Sequence, residues 1–121
     1  MNKVCTSRHQ SLKLIELGIN IKTADMDYIP FANNPQEYDC VINVWNNEHE
    51  KDWIPAWSLS ALLELMPRIE HLKPFIDLGP NLDSEVVSIY YHSEDSPYIV
   101  KDNLIDAAFE MVVWLKENGK L

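Results

Sequence analysis

The stretch KDWIPAWSLSALLELMP, Lys51 to Pro67, sets two tryptophans four residues apart around Pro55 and leads into an apolar segment that Pro67 ends. Proline has no N–H to donate, and its ring pushes the residue before it, here Ile54, out of the helical region. Trp53 and Trp57 therefore do not share one helix despite their spacing. Ser58 is the N-cap, because its hydroxyl can accept from an orphan N–H of the first turn. Leu59, Leu62, Leu63 and Met66 follow at i, i+3, i+4 and i+7, which predicts a helix of about two turns before Pro67. Trp57 precedes the cap, where an apolar side chain staples onto the fourth helical residue, Leu62. The stretch thus reads as the entry to a short core helix, with Trp57 as its staple and Trp53, beside Lys51 and Asp52, as a surface anchor.

Upstream, Ser7 with Gln10 three residues later forms a capping-box pattern, and Gly18 is the usual left-handed stop. A helix over about Arg8 to Leu17 follows, with Ile19 placed to meet Leu14 beyond the stop. Two strands come next. In TADMDYI, Ala24, Met26 and Tyr28 alternate with Thr23, Asp25 and Asp27. In EYDCVINVW, Tyr38, Cys40, Ile42 and Val44 alternate with Asp39, Val41, Asn43 and Trp45. PFANNPQ between them reads as the loop of a long hairpin, and NNEHEKD as a polar loop.

Downstream, RIEHLKPFIDLGPNLD is irregular, with one helical turn before Pro74 and a turn at GPN. EVVSIYYH is a third strand, carrying Val87, Ile89 and Tyr91 on one face, and YIV a fourth. The closing helix starts at Asp102 or Asn103 and ends before Gly119. Its polar Asp106, Glu110 and Glu117 fall within roughly 40° of one another at the helical period. The apolar face left over is wide, and either other helices cover it or it forms a homodimer interface. The order αββαββα, with strands in runs, predicts one α+β domain over residues 1–121: about four strands in a mainly antiparallel sheet, with about three helices.

The 121 residues carry a net charge of −9, spread unevenly. Thr23 to Glu50 holds six acids and Pro74 to Val100 five, and neither window holds a Lys or Arg. So acidic a sheet region repels phosphate backbones, which argues against nucleic-acid binding and leaves solubility or a basic protein partner. No apolar run is long enough for a membrane span and no secretory signal is visible, so the expectation is a cytoplasmic protein. The two cysteines, Cys5 and Cys40, are too few for a disulfide framework and read as thiols in a reducing compartment.

Signals for chemistry are weak. Three glycines cannot write a dinucleotide fingerprint or a phosphate loop, and there is no G-x-S-x-G elbow. Cys5 four before His9 is a nucleophile spacing, but Cys5 lies ahead of the helix cap. Glu48-His49-Glu50, with His71, His92, Glu94 and Asp95, lacks zinc-site spacing and reads as solvated loops, so no metal or cofactor is expected. Asp25 and Asp27 share a strand face where they could hold a divalent cation or act as acid and base; a solvated face is the plainer reading. Trp45, Trp53, Trp57, Trp114, Tyr90 and Tyr91 supply large amphipathic side chains, of which one or two are expected as surface anchors. The binding residues so nominated are Trp53, Tyr91, His92, Asp25 and Asp27.

The segments VCTSRHQSLKLIELGIN, TADMDY, IPAWSLSALLELMP and DNLIDAAFEMVVWLKENG resemble an uncharacterised family of small proteins from gut anaerobes and their phages and prophages. The resemblance implies a stand-alone cytoplasmic protein encoded on a mobile element, and implies no reaction. Two functions remain open on the residues: a non-catalytic interaction or accessory protein with an acidic sheet face, and a small-ligand-binding domain or small enzyme with a pocket lined by Trp53, Trp57 and Tyr91. A sharper form of the first is nucleic-acid mimicry by the acidic face.

Overall fold

The computed structural model describes residues 3–43, 48–79 and 86–121. The helix α1 (Arg8–Glu16) leads through a 3₁₀ turn (Ile21–Thr23) to the strands β1 (Met26–Phe31), β2 (Asn34–Ile42) and β3 (Ile54–Ala56). After α2 (Leu59–Leu65) come β4 (Phe75–Asp77), β5 (Val87–Tyr90), β6 (Ile99–Lys101) and α3 (Leu104–Glu117). The chain is α+β, as expected, with wholly antiparallel pairing in the strands described. One sheet of about four strands was expected; there are two of three strands, ordered β2-β1-β3 and β4-β5-β6. The chain divides into two compact units, residues 4–61 and residues 62–121 with Lys3, and the division falls inside α2.

In the first unit the ends of α1 follow local chemistry. Ser7 accepts from the Gln10 N–H while the Gln10 side chain accepts from the Ser7 N–H, so both donors are satisfied reciprocally. At the other end Gly18 has φ 87°, and the Ile19 N–H reaches back to the Leu14 carbonyl at 3.0 Å. That left-handed residue is what a helix stop of this kind requires. β1 and β2 form a tight hairpin, with Met26 opposite Ile42 and Phe31 opposite Asn34. The loop expected over PFANNPQ is therefore mostly strand, and only Ala32 and Asn33 turn. Of the second strand expected, Val44 and Trp45 lie outside the described residues.

β3 was not expected, and it contains Pro55, which stands opposite Asp27. It is tolerated because β3 is the sheet edge, where a residue without an N–H leaves no ladder bond unmade between strands. Thr6 fixes the segment before α1 against Trp57: its N–H donates to the Trp57 carbonyl at 2.9 Å, and its hydroxyl accepts from the Trp57 N–H at 3.1 Å. Trp57 is fully buried, and its indole N–H donates to the Thr23 hydroxyl at 2.9 Å. Ser58 caps α2 as expected, accepting from the Ala61 N–H at 3.2 Å.

In the second unit Ile76, Ile89 and Ile99 stand side by side on one face of β4-β5-β6. Ile89 and Ile99 are buried, and α3 packs on β5 and β6 through this unit's core, which includes Ile105, Ala108, Met111, Val112 and Leu115. Asn103 caps α3, accepting from the Asp106 N–H at 2.8 Å. The apolar residues of α3 are buried at Ile105, Ala107, Ala108, Met111, Val112 and Leu115 and half-buried at Leu104, Phe109, Val113 and Trp114. The helical turn expected before Pro74 is instead a tight reversal: Ile69 and Leu72 exchange both backbone hydrogen bonds, with Glu70 and His71 at φ 53° and 70°. Pro80 and Asn81 of the expected GPN turn lie outside the described residues. No helix among the described residues is long and apolar enough to cross a membrane.

Candidate functional site: an exposed aromatic sheet face

The two aspartates expected on a solvated face of the first strand are both engaged by the fold. Asp25 accepts from the Ser58 N–H at 2.9 Å and from the Ser58 hydroxyl at 2.5 Å, so it fixes the entry to α2. Asp27 is fully buried. Its Oδ1 lies 2.5 Å from His49 Nδ1, and its Oδ2 accepts from Asn43 Nδ2 at 2.6 Å. The reading of His49 as part of a solvated loop is corrected by the same contacts, since its side chain is 2% exposed. Burial of the carboxylate is tolerable because each of its oxygens meets a hydrogen-bond partner.

The donor and acceptor count limits what this pair can do. His49 Nε2 lies 2.8 Å from the Ile21 carbonyl, which can only accept, so Nε2 carries a proton and donates it. The second Asn43 amide hydrogen goes to the Glu48 carbonyl at 2.7 Å. Both imidazole nitrogens and both carboxylate oxygens are engaged, and the network clamps residues 48 and 49 against β1.

The other nominated residues separate as clearly. Tyr91 is a core residue, 3% exposed, and its hydroxyl donates to the Pro67 carbonyl at 2.7 Å. Burial pushes its phenol up to about 12. Trp53 is half-buried, with its N–H donating to the Glu50 carbonyl at 3.1 Å. His92 is exposed and meets the Phe75 ring edge-on, with centroids 6.2 Å apart. His9 and His71 are exposed. No group of three His, Cys, Asp or Glu side chains among the described residues could hold a metal ion.

His92 leads to a surface that the sequence did not single out. Antiparallel register sets Phe75 opposite Tyr90, and Asp77 opposite Ser88, which stands opposite Val100. These side chains share the face of the second sheet that points away from Ile89 and Ile99, because successive residues alternate. The Phe75 and Tyr90 rings stack at 5.7 Å with 24° between planes, and Tyr90 and Tyr98 meet at 5.0 Å. The Tyr98 hydroxyl accepts from Ser88 at 3.0 Å, which holds the ring over β5. Yet Tyr98 is 61% exposed, Val100 49% and Phe75 43%. An ordered row of aromatic rings left open to water keeps apolar area that would release water on being covered.

The charge around this row is negative. Asp77 lies on it, Glu94 and Asp95 are exposed in the loop joining β5 to β6, and none of the three has an ion pair among the described residues. Of the basic groups nearby in sequence, Lys101 pairs with Glu110 at 2.7 Å, whereas Lys73 donates to the Met66 carbonyl and keeps its charge. Compared with known proteins, the chain matches no family model, no curated protein and no solved structure.

Proposed function

We propose that this is a non-catalytic interaction protein that binds a basic partner segment on the outer face of β4-β5-β6. The observation that carries the reading is the stacked row Phe75, Tyr90 and Tyr98, held in place yet open to water. Aromatic faces attract guanidinium and ammonium groups, and flat rings supply contact area at little entropic cost. Asp77, Glu94 and Asp95 add the charge that would select cationic side chains over acidic ones. Asp25 and Asp27, nominated from the sequence for chemistry, are engaged by the fold, which supports binding over catalysis.

The test is an NMR titration of the protein with an arginine-rich peptide, an equal-length lysine-rich peptide and a glutamate-rich peptide. Binding of the cationic peptides should shift resonances of Phe75, Tyr90 and Tyr98 and weaken as salt rises. Tyr98→Ser combined with Phe75→Ser should abolish the shifts while leaving the amide spectrum of α3 unchanged. Shifts confined to other surfaces, or equal response to the glutamate-rich peptide, would overturn the reading.

A further inference from the structure

The two thiols lie far apart in sequence and together in the first unit. Cys5 Sγ and Cys40 Sγ are 2.6 Å apart, across a sequence separation of 35 residues. Neither arrives there by a loose loop. Cys40 stands opposite Tyr28 in the β1–β2 ladder. Cys5 precedes Thr6, which is tied on both sides: its N–H goes to Trp57, and its carbonyl accepts from the Tyr28 hydroxyl at 2.8 Å. The Cys5 thiol also donates to that hydroxyl at 3.5 Å. Cys5, Met26 and Ala56 form a small core cluster against which Tyr28 and Cys40 pack. Backbone and side-chain bonds on rigid elements thus hold both sulfurs in place, a preorganisation that random proximity of two thiols would lack.

We propose that Cys5 and Cys40 are a modification site, a dithiol that closes to an intramolecular disulfide when it meets a small disulfide oxidant such as oxidised glutathione. Cys40 is half-buried and Cys5 is buried, so the oxidant reaches Cys40 first. The Cys40 thiol gives its proton to solvent, and its sulfur attacks one sulfur of the oxidant. The oxidant's S–S bond breaks, and one glutathione leaves and takes up a proton. Cys5, deprotonated in turn, attacks Cys40 Sγ in the mixed disulfide and releases the second glutathione. Two protein thiols are oxidised to one disulfide and one glutathione disulfide is reduced to two thiols. The Cys40 thiol is pushed up by its hydrogen bond with Cys5 and by burial, which makes the first step slow at neutral pH and faster in mild alkali. The closed bond would fasten the segment ahead of α1 to β2, a covalent state that the protein's redox surroundings would set.

The experiment uses the full chain, reduced and then incubated anaerobically with glutathione buffers of stepped ratio at mildly alkaline pH. Intact mass should fall by two hydrogens, and a peptide map should join the Cys5 and Cys40 peptides. Closure should be faster in native protein than in urea. The oxidised form should melt about 8–16 °C above the reduced one, as expected for a loop of this length in a chain of this size. Cys5→Ser and Cys40→Ser should each take up at most one glutathione and show no such rise. Two stable mixed glutathione adducts on the native chain, or closure no faster than in urea, would overturn the proposal and leave only a thiol–thiol contact.

Discussion

Replacing Asp27 by alanine tests the buried network most directly. In the native protein the carboxylate meets His49 Nδ1 at 2.5 Å and Asn43 Nδ2 at 2.6 Å, with Asp27 fully buried and the His49 side chain 2% exposed. Alanine removes the carboxylate that the buried His49 Nδ1 and one Asn43 amide hydrogen meet, leaving them only the contacts to the Ile21 and Glu48 carbonyls made by the other ends of those groups. Breaking a buried pair by removing one partner costs about 3–5 kcal/mol, because the survivor keeps its desolvation penalty. That is a large fraction of the roughly 5–15 kcal/mol by which a domain of ordinary size is stable. Urea denaturation followed by tryptophan fluorescence should therefore show a sharply lowered midpoint for Asp27→Ala and a similar one for His49→Ala. The double variant should cost far less than the sum, because the second substitution removes a group the first had already stranded. Asp27→Asn, which can still accept from Asn43 and offers an amide to Nδ1, should fall between. Losses below about 1 kcal/mol in each single variant, adding independently, are what a solvated pair would give, and that result would refute the argument.

Other substitutions follow from contacts of the same kind. Ser58→Ala removes both the cap of α2 and a donor to Asp25, and should cost at least about 1 kcal/mol by chemical denaturation. Tyr91→Phe strands the Pro67 carbonyl and should cost about 1–2 kcal/mol. Its pH dependence has a definite sign. The native phenol titrates at about 12, above the value near 10 of an unfolded tyrosine. The native state therefore favours the protonated form, and the stability this represents is full below pH about 10 and lost as pH rises through about 12. Denaturation across that window should show a decline in the parent that Tyr91→Phe lacks. Glu70→Gly and His71→Gly, at positive φ, should be neutral or stabilising by up to about 1 kcal/mol in thermal melts, since glycine adopts that conformation without strain.

The parts of the fold legible in the sequence are those whose signals are local. The ends of α1 are written in Ser7, Gln10 and Gly18, the entry to α2 in Ser58, and the entry to α3 in Asn103. Each is a donor or acceptor problem solved within a few residues. β3 was missed because Pro55 argued against a strand, and β4 because Phe75–Asp77 follows Pro74 in a stretch with no alternation beyond its three residues. Splitting the strands into two sheets followed, since β3 completes the first sheet and β4 the second. The Asp27–His49 pair spans 22 residues, and neither partner carries a pattern that names the other. The aromatic row was half visible: Tyr90 and His92 shared a predicted face, but Phe75 sat in a stretch read as irregular and Tyr98 at the border of a loop.

Pro55 has one more consequence. A strand at the border of a sheet offers a template on which a foreign strand can grow, and a missing N–H interrupts that template. Because β3 is only three residues long with proline at its centre, that border of the first sheet is poorly suited to recruiting another chain. The β4 and β6 borders carry no proline. Strand-by-strand growth, whether productive assembly or unwanted polymerisation, is thus steered away from the β3 border and left to the borders at β2, β4 and β6.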